Sequence, residues 1–170
     1  MIARQLTIEP LTKQAFAPFG DVIETAGAQE FSINEGTTTR YHDLAAVDVG
    51  REEGKPILSV FRATPRPQPI VIRMMERHPI GSQAFYPLAR QDWLVVVCDG
   101  VDAPDPATLK CFGADGAQGV NYRPNTWHHP LLVLQPQDFL VVDRAGPGDN
   151  LEEAWFQDQG NFAQVAARSA

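Results

Sequence analysis

The stretch Ile70-Val-Ile-Arg-Met-Met-Glu-Arg-His78 is the most informative strand candidate in the chain. Side chains of a β-strand point alternately to its two faces, so the even positions share one face. That face begins with Ile70 and Ile72 and is therefore predicted to meet the core. Continued along the strand, the same face brings Glu76 and His78 into the interior. A buried carboxylate needs a partner or a proton, so this acid and imidazole, two residues apart, indicate a functional site.

Two other interpretations of this stretch remain open. Glu76 and Arg77 could be solvated at the end of the strand, with His78 merely preceding the turn at Pro79. The register could also be shifted by one residue, which would exchange the two faces of the strand.

The rest of the chain predicts an all-β fold. Its 170 residues include 13 Gly and 14 Pro, spread along the whole length between short apolar runs. Besides the opening stretch, the main strand candidates are residues 57–63, 82–86, 93–98, 109–114, 119–122, 131–134, 139–143 and 153–156. About ten short strands with almost no helix favour a single domain over residues 1–170, a β-barrel or sandwich, and among such folds a double-sheet jelly roll.

Three local patterns refine this prediction. Residues 93–98 are apolar on both faces, as in a strand with both faces buried. Thr12 is suited to cap a short N-terminal helix that runs through Phe16 and ends before Pro18. Residues 25–38 are small and polar and predict a mobile loop.

Composition limits the partners and the compartment. The net charge of -7, from 21 acidic and 14 basic residues, disfavours a broad nucleic-acid-binding face. Cys98 and Cys111 lie in apolar stretches without CxxC spacing, which favours buried thiols in a reducing compartment. No apolar run approaches the ~20 residues that span a bilayer, and the N-terminus lacks a signal-peptide core. We therefore expect a cytoplasmic protein without nucleic-acid or membrane partners.

Two spacings point to metal or acid/base chemistry. The pattern Glu76-x-His78-x4-Gln83 resembles the first metal-binding motif of the cupin superfamily, which usually has His, His and Glu at these places. The stretch 119–129 resembles the second cupin motif, in which a Pro-bounded turn delivers one more His. Either His128 or His129 could fill that place, and counting from Pro124 favours His129.

Two uses of these groups remain open. Glu76, His78, Gln83 and His129 could bind a divalent ion such as Ni, Mn or Zn. However, a neutral amide is a poor ligand, and Glu and Gln replace two of the usual groups. The same four side chains could instead form an acid/base pocket without a metal.

Segments spread in order over nearly the whole chain resemble the ureidoglycolate lyases, enzymes of allantoin and purine degradation. The most specific are Glu76–Pro79 with Ser82–Phe85, and Trp127–Leu132. Others are residues 10–12, 15–23, 40–44, 59–62, 119–122, 138–144 and 150–153. The resemblance implies a cupin-type β fold, a homodimer, and a lyase that splits (S)-ureidoglycolate into glyoxylate and urea.

That reaction requires a base for the substrate hydroxyl, an acid for the departing nitrogen, and a group that holds the carboxylate. We expect His78 or His129 to be the base, with His128 as a further candidate, because imidazole titrates near neutrality. Glu76 would orient that base, or ligate a metal. Gln83 would bind the ureido amide.

The remaining candidates would bind substrate. Arg40 or Arg62 would clamp the carboxylate, since guanidinium can bind it bidentately. Arg40 follows the predicted loop and could close over the substrate together with Asn34. Tyr86 and Trp127 would form walls of the pocket.

Two alternatives of other classes remain. One is a metal-dependent cupin hydrolase or isomerase acting on another small carboxylate. The other is a non-catalytic cupin that binds a metabolite.

Overall fold

The computed structural model describes residues 3–166, which form short strands, one four-residue α-helix and four 3-10 turns. The first strands and the helix are β1 (Arg4–Gln5), β2 (Ile8–Pro10), α1 (Lys13–Phe16), β3 (Gly20–Ile23), β4 (Gln29–Ile33), β5 (Thr38–His42) and β6 (Lys55–Ala63). The middle of the chain forms β7 (Ile70–Ile72), β8 (Met74–Arg77), β9 (Gln83–Pro87), β10 (Trp93–Cys98), β11 (Lys110–Ala114) and β12 (Gly119–Tyr122). The last strands are β13 (Trp127–His128), β14 (Leu132–Val133), β15 (Gln137–Ala145), β16 (Glu152–Trp155) and β17 (Ala163–Val165). The 3-10 turns are Asn34–Gly36, Arg51–Glu53, Pro106–Thr108 and Gln159–Asn161.

Two large sheets face each other, and a third, smaller sheet covers one of them. The seven-stranded sheet has the order β16-β8-β13-β10-β11-β2, with β14 also paired to β10. The five-stranded sheet has the order β3-β12-β9-β15-β6, and the small sheet has the order β1-β17-β7. This architecture confirms the predicted all-β, cupin-like class in the form of a sandwich.

Strand β10 lies between two hydrophobic cores. Its odd-numbered residues, from Trp93 to Val97, pack in the first core against side chains of the five-stranded sheet such as Phe85 and Phe139. Its even-numbered residues, from Leu94 to Cys98, pack in the second core against the small sheet. The prediction of a strand buried on both faces is therefore confirmed.

The N-terminal helix closes one end of the first core. The side chain of Thr12 accepts a hydrogen bond from the backbone N–H of Ala15 at 3.1 Å, as predicted for its cap. Phe16 is fully buried against Phe112, with ring centroids 5.9 Å apart in an edge-to-face arrangement. No helix within residues 3–166 is long and apolar enough to cross a membrane.

The predicted continuous inward face from Ile70 to His78 is wrong in one respect. Ile70 and Ile72 pack in the second core, where Met75 joins them. Exposed Arg73 separates β7 from β8, and its carbonyl accepts a hydrogen bond from the N–H of Phe156. The change of strand exchanges the two faces, so Met75, not Glu76, continues the face of the isoleucines.

Residues 25–38 are also not the predicted loop. Strands β4 and β5 form an antiparallel hairpin in which Phe31 pairs with Arg40 and Ile33 with Thr38. Its turn contains Asn34 and Gly36, both at positive φ, which these residue types adopt most readily. The alternation of Phe31 and Ile33 with polar residues fits a strand, and the small residues around it conceal this signal.

Candidate active site

Three ligating side chains meet on adjacent strands of the seven-stranded sheet. Glu76 on β8 and His128 on β13 are direct cross-strand partners, so their side chains project from the same face. Glu76 Oε1 lies 3.5 Å from His128 Nε2. His78 follows two residues after Glu76, and the ligating atoms of all three residues lie within 4.8 Å of one another.

Backbone carbonyls fix the orientation of both histidines. His78 Nδ1 lies 2.7 Å from the carbonyl oxygen of Asn150, and His128 Nδ1 lies 2.9 Å from that of Thr126. Because a carbonyl oxygen only accepts, each Nδ1 carries the proton and donates it. Both Nε2 atoms are buried and have no hydrogen-bond partner among the described residues. In the neutral form, each imidazole therefore directs a lone pair into the cluster.

The five-stranded sheet supplies oxygen atoms from the other side. Gln83 on β9 contacts His78, and its Nε2 donates to Asp143 Oδ2 at 3.3 Å. Gln83 Oε1 and Asp143 Oδ1 remain buried without a partner among the described residues. The site thus gathers two nitrogen lone pairs and several oxygens, a donor set that suits a divalent ion such as Zn, Ni or Mn. Glu76, His78 and His128 form the possible ligand triad.

The protonation states follow from burial and from neighbouring charge. Burial alone would raise the pKa of Glu76, but the close approach of His128, 3.5 Å away, and the charges of the nearby histidines bring it below its usual value. Burial lowers the pKa of His78, and repulsion by His128 lowers it further. The carbonyl of Asn150 and the carboxylate of Glu76 oppose this only partly. His78 is therefore a neutral imidazole with a free lone pair at neutral pH.

A cavity of about 340 Å³ opens onto this cluster. Glu76 and Gln83 contribute its polar lining. The remaining lining residues, mostly apolar, are Phe61, Arg62, Ala63, Phe85, Pro130 and Leu131. A small polar substrate in this cavity would meet the carboxylate of Glu76, beside which the imidazole of His78 lies, and the amide of Gln83.

His129, which the count from Pro124 favours as a metal ligand, does not join this cluster; His128 takes the place in the possible ligand triad. Side chains alternate along the strand, and His128 alone of the pair faces Glu76. The Nδ1 of His129 donates to the carbonyl of Pro130 at 2.7 Å, and the side chain lines a different groove beside Arg66. Burial first, together with the charge of Arg66, lowers the pKa of His129 to about 4.

Two predicted wall residues point away from the cluster, and strand alternation again explains why. Trp127 lies in the second core, and the guanidinium carbon of Arg77 lies 4.4 Å from its ring centroid. Tyr86 pairs with Leu140 on the outer face of the five-stranded sheet, opposite the face on which Phe85 packs. Neither residue lines the cavity at the cluster.

The predicted carboxylate-binding residues lie at the periphery. Arg62 lines the cavity, but its side chain is 82% exposed and binds both oxygens of Asp138, at 2.9 and 3.0 Å. Arg40 is exposed on the β4–β5 hairpin. The amide of Asn34 donates to Thr38 Oγ1 at 3.3 Å within the same hairpin. Within residues 3–166, no hydrogen bond joins these three side chains to the cluster.

Sequence reasoning missed two residues that shape the site. Tyr122 stacks on His128, with ring centroids 4.0 Å apart and planes 11° from parallel. Complete burial, reinforced by the charge of Glu76, raises the pKa of Tyr122 above its usual value, so it stays neutral. Its position two residues after buried Val120 is a usable signal for an inward side chain. Asn150 acts through its backbone carbonyl, which leaves no signal in the sequence.

Comparison with known proteins identifies the family. The sequence model described as ureidoglycolate lyase matches residues 3–163, nearly the whole chain. The chain belongs to the ureidoglycolate lyase family. The matched range contains every residue of the cluster and of its surroundings.

Curated members of the ureidoglycolate lyase family are similar over most of their length. The ureidoglycolate lyase of Brucella anthropi is 58% identical over 159 residues, which cover 93% of this chain and 94% of the relative. Those of Pseudomonas syringae pv. tomato and Stutzerimonas stutzeri are each 54% identical over 156 residues, with 91% of this chain and 92% of the relative covered. The chain is thus an enzyme of a lyase family, as the resemblance of its motifs implied.

Proposed function

We propose that this chain cleaves (S)-ureidoglycolate into glyoxylate and urea at the cluster of Glu76, His78 and His128. The relatives' name supplies the substrate. The observation that supports the chemistry is the unpaired, buried Nε2 of His78 beside the carboxylate of Glu76, which lines a cavity.

The proposed reaction needs neither water nor a redox partner. The substrate carries a hydroxyl, a carboxylate and a ureido nitrogen on one carbon. Loss of the hydroxyl proton forms the carbonyl of glyoxylate while the C–N bond breaks. The same proton then neutralises the ureido nitrogen, so urea leaves as a neutral molecule. One group that first accepts and then donates a proton is therefore sufficient.

His78 fits this role. Its Nδ1–H is held by the carbonyl of Asn150, which leaves Nε2 as the proton acceptor. The lowered pKa keeps the imidazole neutral at physiological pH. After accepting the hydroxyl proton, the imidazolium would be stabilised by the carboxylate of Glu76 and could return the proton to the ureido nitrogen. General acid/base help of this type is worth about 10²–10⁴ in rate.

Neighbouring groups would position the substrate. Gln83 Oε1, which has no partner within the described residues, can accept a hydrogen bond from a ureido N–H. Arg62 lines the same cavity and could hold the carboxylate if its guanidinium exchanged Asp138 for the substrate. Arg40 would need a movement of its hairpin to reach the cavity, so Arg62 is the stronger candidate.

The same site also fits a divalent cation. Glu76, His78 and His128 would hold it, and their unpaired buried atoms favour this second possibility. When bound, the cation would supply positive charge to polarise the oxygens of the substrate. The lone pair of His78 would then be occupied. Asp143 Oδ1, buried and without a partner among the described residues, would be the acceptor left for the hydroxyl proton.

One set of assays tests the reaction. Purified enzyme is incubated with (S)-ureidoglycolate, and glyoxylate, urea and ammonia are measured separately. Glyoxylate and urea in equal amounts are expected, because only the C–N bond to the carbinol carbon breaks. Ammonia release would instead identify an amidohydrolase. Tight binding without turnover, measured by calorimetry, would identify a metabolite-binding protein.

A second set of assays distinguishes the metal-free site from the site with a bound divalent cation. With His78 as the base, His78→Asn lowers kcat by about 10²–10⁴, and dialysis against a chelator changes nothing. His42→Asn is the control, since His42 lies on the β4–β5 hairpin outside the cluster. Loss of activity on chelation, with recovery on addition of Ni²⁺, Mn²⁺ or Zn²⁺, would refute the metal-free mechanism. Asp143→Asn would then show the large loss in kcat.

We also propose that the chain forms a homodimer in the cytoplasm. Leu58 and Val60 are 72% and 59% exposed and lie with Leu140 on the outer face of β6 and β15. Such an apolar face supports burial against a second copy. Leu58→Asp should give monomers in sedimentation experiments, and a monomeric parent enzyme would contradict the proposal. The buried free thiols of Cys98 and Cys111 fit a reducing compartment.

A further inference from the structure

We propose that a groove lined by His129, next to β13 and separate from the cavity at the catalytic cluster, is a second small-molecule site. Its volume is about 370 Å³, and its polar lining comes from Arg66, Arg73 and His129. The ligand class that fits these groups is a small carboxylate that also carries an amide N–H or a hydroxyl. This groove would bind its ligand whether or not the catalytic cluster turns over ureidoglycolate.

The two guanidinium groups indicate the carboxylate. Within residues 3–166, neither Arg66 nor Arg73 forms an ion pair with an acidic side chain. Arg73 instead lies over the ring of Phe162, 5.6 Å from its centroid. Two guanidinium groups without acidic partners among the described residues therefore line one groove. Guanidinium groups bind carboxylates through paired N–H donors, so the groove is suited to such an anion.

His129 indicates the second group of the ligand. It is only 3% exposed, and its Nδ1–H donates to the carbonyl of Pro130 at 2.7 Å. Its Nε2 is therefore an acceptor, and no described residue donates a hydrogen bond to it. A ligand with a carboxylate alone would leave this acceptor unsatisfied. An N–H or O–H next to the carboxylate would satisfy it and would give the groove its selectivity.

The rest of the groove is apolar and provides a direct probe. Pro67, Pro69 and Trp155 contribute flat walls, against which a planar amide can lie. Trp155 is 60% exposed, whereas the other two tryptophans, Trp93 and Trp127, are buried. The indole N–H resonance of Trp155 therefore reports on the groove separately from the cores.

The test uses two ligands of the same shape. N-Carbamoylglycine carries a carboxylate and ureido N–H groups, and it lacks the hydroxyl that the lyase reaction requires. 4-Oxopentanoate replaces each of its nitrogens by carbon and so removes the donors. Each is titrated into ¹⁵N-labelled enzyme, and the indole resonance of Trp155 is followed, with Trp155→Phe used to assign it.

We expect N-carbamoylglycine to shift this resonance saturably and 4-oxopentanoate to bind about tenfold more weakly or less. Arg66→Ala and Arg73→Ala should each weaken binding of N-carbamoylglycine by about tenfold or more. Lys110→Ala, which removes a positive charge from an exposed position on β11, should bind as the parent does. Circular dichroism and thermal melts check that each variant folds.

Three results would overturn the proposal. The first is no shift of the Trp155 resonance at any soluble concentration of N-carbamoylglycine. The second is binding by the two arginine variants that equals binding by the parent. The third is equal affinity for the two ligands, which would remove the requirement for a donor opposite His129.

Discussion

Acid denaturation of a His129→Asn variant tests where this side chain lies. In the folded chain, burial lowers the pKa of His129 from the ordinary value of 6.5 to about 4. The unfolded chain therefore binds more protons than the folded chain between these two values. The stabilising contribution is fully present above pH 6.5 and is lost as the pH falls towards 4. At about 1.4 kcal/mol per tenfold change in proton affinity, the loss is about 3 kcal/mol.

The free energy of unfolding of both proteins is measured by urea titration at intervals from pH 7 to pH 4. Asn can still donate from its Nδ2 towards the carbonyl of Pro130, so the variant keeps the hydrogen bond but not the titration. We expect the parent to lose about 3 kcal/mol more than the variant over this range. Carboxylates and the other histidines titrate in both proteins and cancel in the difference.

The opposite result would refute the assignment. If His129 were paired with Glu76, as the count along the sequence suggested, the carboxylate would raise its pKa. The parent would then lose less stability on acidification than the variant. Parallel curves for the two proteins would also contradict a buried, unpaired imidazole.

Three further predictions concern the site and the core. The acid limb of the pH profile of kcat/KM should lie below pH 6.5, because burial lowers the pKa of His78. Glu76→Gln should move this limb to still lower pH, because the carboxylate of Glu76 raises that pKa. A limb above pH 6.5, or an upward shift in the variant, would contradict this. Tyr122→Leu should lower kcat by about 2–12-fold through loss of stacking, whereas Tyr122→Phe should not; equal losses would show that the hydroxyl matters. Phe112→Ala should lower the free energy of unfolding, measured by chemical denaturation, by about 3–5 kcal/mol. Val101→Ala, at an exposed position, should lower it by less than about 0.5 kcal/mol. Similar losses in the two variants would contradict the packing described.

Local patterns predicted much of the fold correctly. The apolar run of residues 93–98 forms β10 with the predicted bounds, because a short run that is apolar on both faces suits a strand covered on both faces. Residues 119–122 form β12 as predicted, and Thr12 caps its helix. These successes rest on interactions within one element, or on burial strong enough to override its surroundings.

The failures have a common physical origin. The side of a strand that faces a site depends on breaks between strands and on pairing with neighbouring strands. Alternation alone predicts neither the break at Arg73 nor which of His128 and His129 pairs with Glu76. The prediction that Glu76 and His78 share a site was nevertheless useful, since both belong to the possible ligand triad. The choice between His128 and His129 depends on pairing with β8, a contact between residues about 50 positions apart, for which one sequence gives no direct signal.

The position of β10 between two cores also determines how the molecule opens. Its backbone pairs with β11 on one side and with β13 and β14 on the other, and each face is covered by a separate apolar layer. No partial opening that leaves either layer intact can bring these amides into contact with water. Their hydrogen exchange should therefore require global unfolding, whereas amides of the exposed β4–β5 hairpin should exchange through local fluctuations. Amide exchange rates at β10 would then measure the stability of the whole domain without denaturant.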